Sequence, residues 1–375
     1  MNISEEDFYG ISLKVYRTKK PVFLQVCRGR SVDIIIGAGI AIIIAFIFTF
    51  TNGFQDASAI AATFIASRSA KPAQGMILVA AMNFFGAILG GSAVAFTISG
   101  LLTLNPGPQL VYILLSAVSS AALWNITAWR FRVPSSSTHA LIGGLIGAGM
   151  AAAGIESVNW GISDLVAAPH ELQGFTKVLF FLMLSVFLGF AVGYLMRKMS
   201  GVVLKNARRS ANRQIVRLNW IAAAVMSFAN GANDSQKQLG IIVLVLFAAG
   251  KVQTLDVPFW ARLICAIMLA AGTVGAGWRV MSTLGRRIFK IEPIHSFDSQ
   301  VSSGATIAIS NLAGAPISST HIISSSVIGV GYAENSQKVQ WSAGKEIFLA
   351  MILTIPIAMI ISALVFTLIR PFIGS

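Results

Sequence analysis

Six stretches of this chain run without a charged residue for long enough, or nearly so, to cross a hydrocarbon layer, which takes about 20 apolar residues of helix. They cover residues 34–50, 73–98, 108–129, 178–196, 238–250 with an approach from 218, and 347–369. Three further apolar segments, 140–155, 299–314 and 321–333, are shorter and rich in Gly and Ser, which suits half-helices or helices packed inside a bundle. The pattern predicts an all-α polytopic protein with roughly ten spanning or re-entrant elements.

Composition agrees. The 375 residues are 55% hydrophobic and 11% charged, more apolar surface than one water-soluble globule can hide, so the excess must face a lipid bilayer. The net charge of +14 would suit nucleic acid if it were spread along the chain, but it is not. Seven of the 28 Lys and Arg fall between Arg197 and Arg217 with no acid among them, which reads as a cytoplasmic loop by the positive-inside rule. Counting elements outward puts Arg68 and Lys71, Arg130 and Arg132, Arg279 to Lys290, and Lys338 to Lys345 in loops on the same side. Lys177, Lys251, Arg262 and Arg370 fall opposite, beside Glu156, Asp164, Glu171 and Asp256. The basic tail over 1–31 runs against this topology: it is either a peripheral segment that alters the first crossing or a stretch preceding a functional start nearer Ser31. No removed signal peptide is expected. Cys27 and Cys265 match no disulfide, metal or redox spacing.

The chain also repeats itself. Asn52-Gly53-Phe54-Gln55-Asp56 recurs 178 residues later as Asn230-Gly231-Ala232-Asn233-Asp234. Val133-Pro134-Ser135-Ser136-Ser137-Thr138-His139 recurs after 182 residues as Ala315-Pro316-Ile317-Ser318-Ser319-Thr320-His321. Motif order and spacing agree over the whole unit. The expected division is a first repeat over 32–196, a basic linker over 197–217 and a second repeat over 218–375. With about five membrane elements in each half, the second copy is inverted relative to the first, an arrangement that places a substrate site near the midplane where broken helices of the two halves meet.

The repeated motifs carry the candidate chemistry. Asp56 and Asp234 are the only acids inside the apolar segments, and each follows an Asn-Gly pair expected to interrupt a helix. A carboxylate in the membrane is costly unless paired or hydrated, so it marks function by default. With Asn52, Gln55, Asn230 and Asn233 beside them they supply hard oxygen ligands for a coupling cation, Na⁺ or H⁺. The bland alternative is a structural Asp satisfied by neighbouring amides or by Lys237. Gln236 and Lys237 follow Asp234, and Lys237 has no counterpart in the first half, where Ala59 stands. The second motif reads as an anion site. Pro134 and Pro316 are placed to open helices, and Ser136, Ser137, Thr138, Ser318, Ser319 and Thr320 then set hydroxyls beside unpaired backbone N–H groups. Two such ends, facing each other, would enclose a tetrahedral oxyanion such as phosphate. The competing reading is that these hydroxyls cap helices or bond back to the i−4 carbonyl. His139 and His321 are either packing residues or ligands. No resident cofactor is implied, and which metal, if any, is bound is not legible.

These residues resemble the inorganic phosphate transporter (PiT) family, whose mark is a duplicated Gly-x-Asn-Asp type motif followed by a Pro-x-Ser-x-Thr-His type motif. The likeness runs from about Ile40 to Ile369, closest over Asn230 to Ile242 and Gly314 to His321. The resemblance implies a cation-coupled phosphate symporter with inverted repeats, a scaffold part and a mobile part, a homodimer in the cell membrane, the inner membrane of a bacterium. It carries Asp56, Asp234, Asn52, Asn230 and Asn233 over to the coupling-ion and substrate sites, and the six Ser and Thr residues to phosphate. Gln55 and Ala59 depart from the family pattern, so cation identity and stoichiometry are not carried over.

Among the alternatives, sulfate or a metal-phosphate complex would satisfy the same donors. An intramembrane hydrolase is disfavoured because Ser137 and His139, two apart on a helix, do not face each other. A channel fits buried carboxylates at paired breaks less well than an occluding site does.

Overall fold

The long apolar runs become helix, since a chain crossing hydrocarbon must satisfy its backbone polar groups internally, although the run over 73–98 forms two helices parted at 90–92 rather than one span. The computed structural model describes residues 20–131, 133, 135–166, 170–208, 210–287 and 290–372. The basic tail up to residue 19, Arg132, Pro134 and Arg209 lie outside these residues. The first half contains α1 (Lys20–Ala66), α2 (Pro72–Leu89), α3 (Ala93–Ser99), α4 (Pro108–Phe131), α5 (Ser137–Ala153), α6 (Ile162–Val166) and α7 (Gly174–Val203). The second contains α8 (Ala211–Ala248), α9 (Phe259–Arg287), α10 (Pro293–Leu312), α11 (Ser319–Asn335) and α12 (Trp341–Ile369). Among the described residues, five helices are long and apolar enough to cross a membrane by length and composition: Ile34–Ala66, Pro72–Leu89, Pro108–Phe131, Gly174–Val203 and Gly344–Ile369. The burial pattern is inside-out relative to a water-soluble protein. Ile43, Phe187, Leu195, Leu364 and Leu368 stand on the outside, while Asn52, Asp234, Gln238 and Ser302 are buried.

Several expectations change. The Asn-Gly pairs do not break their helices: α1 is continuous for 47 residues through Asn52 to Asp56, and α8 for 38 through Asn230 to Asp234. A glycine in a helix costs about 1 kcal/mol, whereas freeing backbone groups in an apolar interior costs several. Gly53 and Gly231 instead serve close approach. A Cβ at Gly53 would strike the α9 backbone at Leu269 and Thr273, and one at Gly231 would strike the Asn83 carbonyl on α2. The breaks fall between α4 and α5 and between α10 and α11. The sequence pattern passes over α9, and it places Arg279, Arg286 and Arg287 in a loop although they lie on that helix. The basic linker is largely helical: Arg197 and Lys198 belong to α7 and Arg213 and Arg217 to α8, leaving 204–208 and 210 outside the two helices.

Packing follows the repeat. α1 packs along α9 as α2 packs along α8, α4 lies on α1 as α10 lies on α8, and α5 packs on α12 as α11 packs on α7. Matching elements of the two halves therefore occupy matching places, with α1 and α8 in contact at the centre.

Asp298 on α10 is a third buried acid, one position before the apolar run that the sequence pattern marks. It accepts from Ser200 Oγ at 2.5 Å and pairs with Arg197 at 3.4 Å, and Arg197 also pairs with Glu334 at 2.6 Å. Arg197→Met strands the buried Asp298 charge and is expected to cost about 3 kcal/mol. Glu334→Gln, at a carboxylate 40% exposed, is expected to cost less than about 1 kcal/mol. Thermal unfolding of the two variants in detergent checks the difference.

Candidate functional site

The centre of the molecule is a closed polar cluster where the middles of α1 and α8 meet the first turns of α5 and α11. None of the sixteen residues singled out by the motifs is more than 5% exposed. Helices α5 and α11 begin alike. Ser136 and Ser318 are their N-caps, accepting from the backbone N–H of His139 at 3.3 Å and of His321 at 3.4 Å. Pro316 precedes α11 in the connecting loop rather than opening the helix, and its expected counterpart, Pro134, is outside the described residues. For Ser136 and Ser318 the capping reading therefore describes what the hydroxyls do here.

The next two residues of each helix reach into the cluster. Thr320 Oγ1 donates to Asp56 Oδ1, and Ser137 Oγ donates to Asp56 Oδ2 at 3.4 Å. Ser319 Oγ lies 3.5 Å from Asp234 Oδ1. Lys237 Nζ donates to Asp234 Oδ1 at 2.7 Å and to Thr138 Oγ1 at 2.8 Å, while Thr138 Oγ1 donates to the Ile317 carbonyl at 2.8 Å. Asn230 Nδ2, one turn before Asp234, donates to its Oδ2 at 2.9 Å. Asp56 also interacts with both Asp234 and Lys237. Each motif of one half thus bonds the helix of the other: Thr320 of the second half holds Asp56 of the first, and Thr138 of the first holds Lys237 of the second.

Three predicted residues turn away from this cluster. Gln55 Nε2 donates to the Asn125 carbonyl on α4 at 3.3 Å, and Asn233 Nδ2 donates to Asn311 Oδ1 on α10 at 2.6 Å. Gln236 Oε1 accepts from the Val94 N–H of α3 at 2.9 Å. They brace the flanking helices, and each amide gains at least one partner there, which lowers the cost of burying it. The sequence reading passed over their partners Asn125 and Asn311, and also Asn83, which accepts from Asn230 at 3.4 Å. Each was visible only as a polar residue within or beside an apolar run, the signal that buried interhelical hydrogen bonding leaves.

His139 and His321 meet edge to face with ring centroids 5.0 Å apart. His139 Nδ1 contacts Ser136 Oγ at 2.8 Å, a hydroxyl already engaged by the His139 N–H as a helix cap. Neither ring nitrogen of His321 has a hydrogen-bond partner among the described residues. The cluster holds two carboxylates and one ammonium, so it carries an excess negative charge when both acids are ionised. Around that charge stand hydroxyls at two helix N-termini. Such a set can bind a cation at the carboxylates and an anion at the hydroxyls and helix ends.

The sequence profile described as the phosphate transporter family matches residues 52–218 and 199–362. The chain is 33% identical over 341 residues to a protein of Bacillus subtilis (strain 168) named a probable low-affinity inorganic phosphate transporter, covering 89% of this chain and 98% of that one. It is 34% identical over 325 residues to a protein of the same name from Rhizobium meliloti (strain 1021), covering 86% and 93%. Among solved structures it shares the fold of one titled the sodium-dependent phosphate transporter, with a TM-score of 0.80 at 24% identity over 90% of this chain and 99% of that one. With matches across both halves and two bacterial relatives aligned over nearly their whole lengths, this chain belongs to the phosphate transporter family.

Proposed function

We propose that this protein is a cation-coupled phosphate symporter of the cell membrane, in which the central cluster binds phosphate and its coupling ion and is exposed to the two sides in turn. One observation carries the reading: the hydroxyls an oxyanion would need at the α5 and α11 N-termini, those of Ser137 and Thr320, are bonded to the Asp56 carboxylate. An ionised Asp56 both repels phosphate and withholds its donors. A cation on Asp56 removes the repulsion and weakens the carboxylate's hold on the two hydroxyls, so cation and anion favour each other's binding, and by linkage they do so reciprocally. Phosphate as the anion is supported by the names of the bacterial relatives.

The swapped packing of the two halves supports the inverted repeat, with the basic α7–α8 turn on the cytoplasmic side. A homodimer in the bilayer belongs to the same reading. Burial of every donor supports alternating exposure, because no ligand reaches the cluster without helix movement. Ser136 and Ser318 join the phosphate donors on this account only if their caps give way.

The test is uptake of radiolabelled phosphate into proteoliposomes under an imposed Na⁺ or H⁺ gradient, with excess sulfate present. The expected result is gradient-driven uptake that sulfate does not block, with the effective gradient naming the ion. Phosphate uptake that is absent, or that sulfate abolishes, would move the substrate to another oxyanion.

A further inference from the structure

The two halves set matching helices at matching places, yet their carboxylates have different surroundings. Asp234 is satisfied along its own helix, by the Asn230 amide one turn before it at 2.9 Å and by the Lys237 ammonium at 2.7 Å. In the first half Ala59 stands at the position of Lys237 and Asn52 at that of Asn230. Ala59 is buried and offers no charge. Asn52 is fully buried, and neither its amide oxygen nor its amide nitrogen has a hydrogen-bond partner among the described residues. It lies four residues before Asp56 on the same face of α1. An orphaned amide beside a carboxylate that lacks its own ammonium is a costly pair of groups to bury unless something else meets them.

The equivalent threonines show the same inequality. Thr138 gives its proton to the Ile317 carbonyl and accepts from Lys237, so it faces a cation. Thr320 gives its proton to Asp56, so it faces a carboxylate, while the Lys237 ammonium donates to Asp234 and Thr138. The oxygens of Asp56, Asn52, Ser137 and Thr320 form the hard donor set that a small cation takes. At Asp234 the corresponding place is filled by Lys237 Nζ, held from α8 by Asp234 and from α5 by Thr138.

We propose that the two halves are unequal in coupling: the exchangeable monovalent cation binds at Asp56 with Asn52, Ser137 and Thr320, while Lys237 is a tethered cation permanently filling the equivalent place at Asp234. The inference rests on the symport reading and adds to it that one fewer cation moves per phosphate than the duplicated motif suggests. It also assigns Lys237 the part of a stoichiometry-determining residue rather than a phosphate ligand.

The experiment measures cations carried per phosphate, from the zero-flux potential of proteoliposomes, together with phosphate counterflow in the absence of any gradient. Separate Na⁺ and H⁺ gradients identify the ion. Lys237→Ala makes the second half match the first and is expected to raise the stoichiometry by one cation, with counterflow reduced but measurable. An unchanged stoichiometry in a variant that still exchanges phosphate would overturn the proposal. If Lys237→Ala does not exchange, the double variant Asp234→Asn with Lys237→Ala removes the ion pair as a unit and is expected to keep the wild-type stoichiometry. A changed stoichiometry in the double variant, or the loss of its counterflow, would also overturn it, since a pair that only fills a cation place is dispensable together. Failure of the wild-type protein itself to exchange phosphate would instead sink the symport reading.

Discussion

Asp56→Asn is expected to yield a folded protein that still exchanges phosphate across the bilayer but no longer accumulates it. The amide keeps the shape of the carboxylate and can still accept the Thr320 hydrogen bond, so the helix contacts survive. What disappears is the charge that attracts the cation. Each cation carried down a potential of 100 mV contributes about 2.3 kcal/mol, roughly fifty-fold in the concentration ratio it can sustain. Losing that coupling brings accumulation down toward simple equilibration. Asp234→Asn is expected to abolish accumulation by another route: Lys237 is 1% exposed and would be left as a buried charge without the carboxylate it is bonded to, a condition that costs about 3–5 kcal/mol. Its counterflow should therefore fall as well, which separates the two variants. Gradient-driven accumulation at the wild-type level in Asp56→Asn would remove the basis for placing the coupling ion there, and the same result in Asp234→Asn would show that the Lys237 ion pair is not needed for coupling.

Gly231→Ala is expected to destabilise the protein, and the same substitution at Gly39 to leave it unchanged or slightly more stable. Both glycines lie inside long helices. A Cβ at Gly231 meets the carbonyl, Cα and C of Asn83 on α2, whereas one at Gly39 meets nothing within 4 Å. At Gly39 only the helix preference of alanine acts, worth up to about 1 kcal/mol. At Gly231 the two backbones must separate, at a cost of about 1–3 kcal/mol for overpacking, and the contact from Asn230 to Asn83 is strained with them. The reciprocal glycine contact, Gly86 of α2 against the Phe228 carbonyl of α8, cannot relax without the same separation. Melting temperatures in detergent should shift in opposite directions or differ by several degrees, and equal shifts would show that the α2–α8 crossing does not depend on this contact.

Much of the architecture is legible because transfer into lipid is decided by composition over a window of residues. The runs at 108–129, 178–196 and 347–369 lie within α4, α7 and α12, and each needs only its own sequence to be a span. α9 was passed over because its 29 residues combine a short apolar stretch with Arg262 and the later arginines, so its place depends on packing against α1. Asp298 was missed for a related reason. A buried acid beside a span looks like a loop residue until Arg197 of α7 and Ser200 are brought to it.

For the site, repetition of the two motifs singled out the residues before any geometry was known, and Asp56, Asp234, Ser137, Thr138, Ser319, Thr320 and Lys237 meet in one cluster. Their partners were not legible. Local spacing paired Asp234 with Lys237, because residues three apart share a helix face, but it could not pair Thr320 with Asp56, 264 residues away. It also misjudged the Asn-Gly pairs. Glycine read along the chain is a helix breaker, whereas in the bundle it is the residue that lets two backbones touch.

The sequence alone shows a duplicated membrane protein, the segments long and apolar enough to cross a bilayer, and the residue types that recur, because hydropathy and repetition are properties of neighbours along the chain. Packing settles that the motif helices stay continuous, that Gln55, Asn233 and Gln236 brace neighbouring helices, and that the Lys237 ammonium is bonded to Asp234 while Thr320 and Ser137 donate to Asp56. Those outcomes depend on which buried groups meet between helices, where hydrogen bonds between residues 70 to 264 positions apart must satisfy one another in the absence of water.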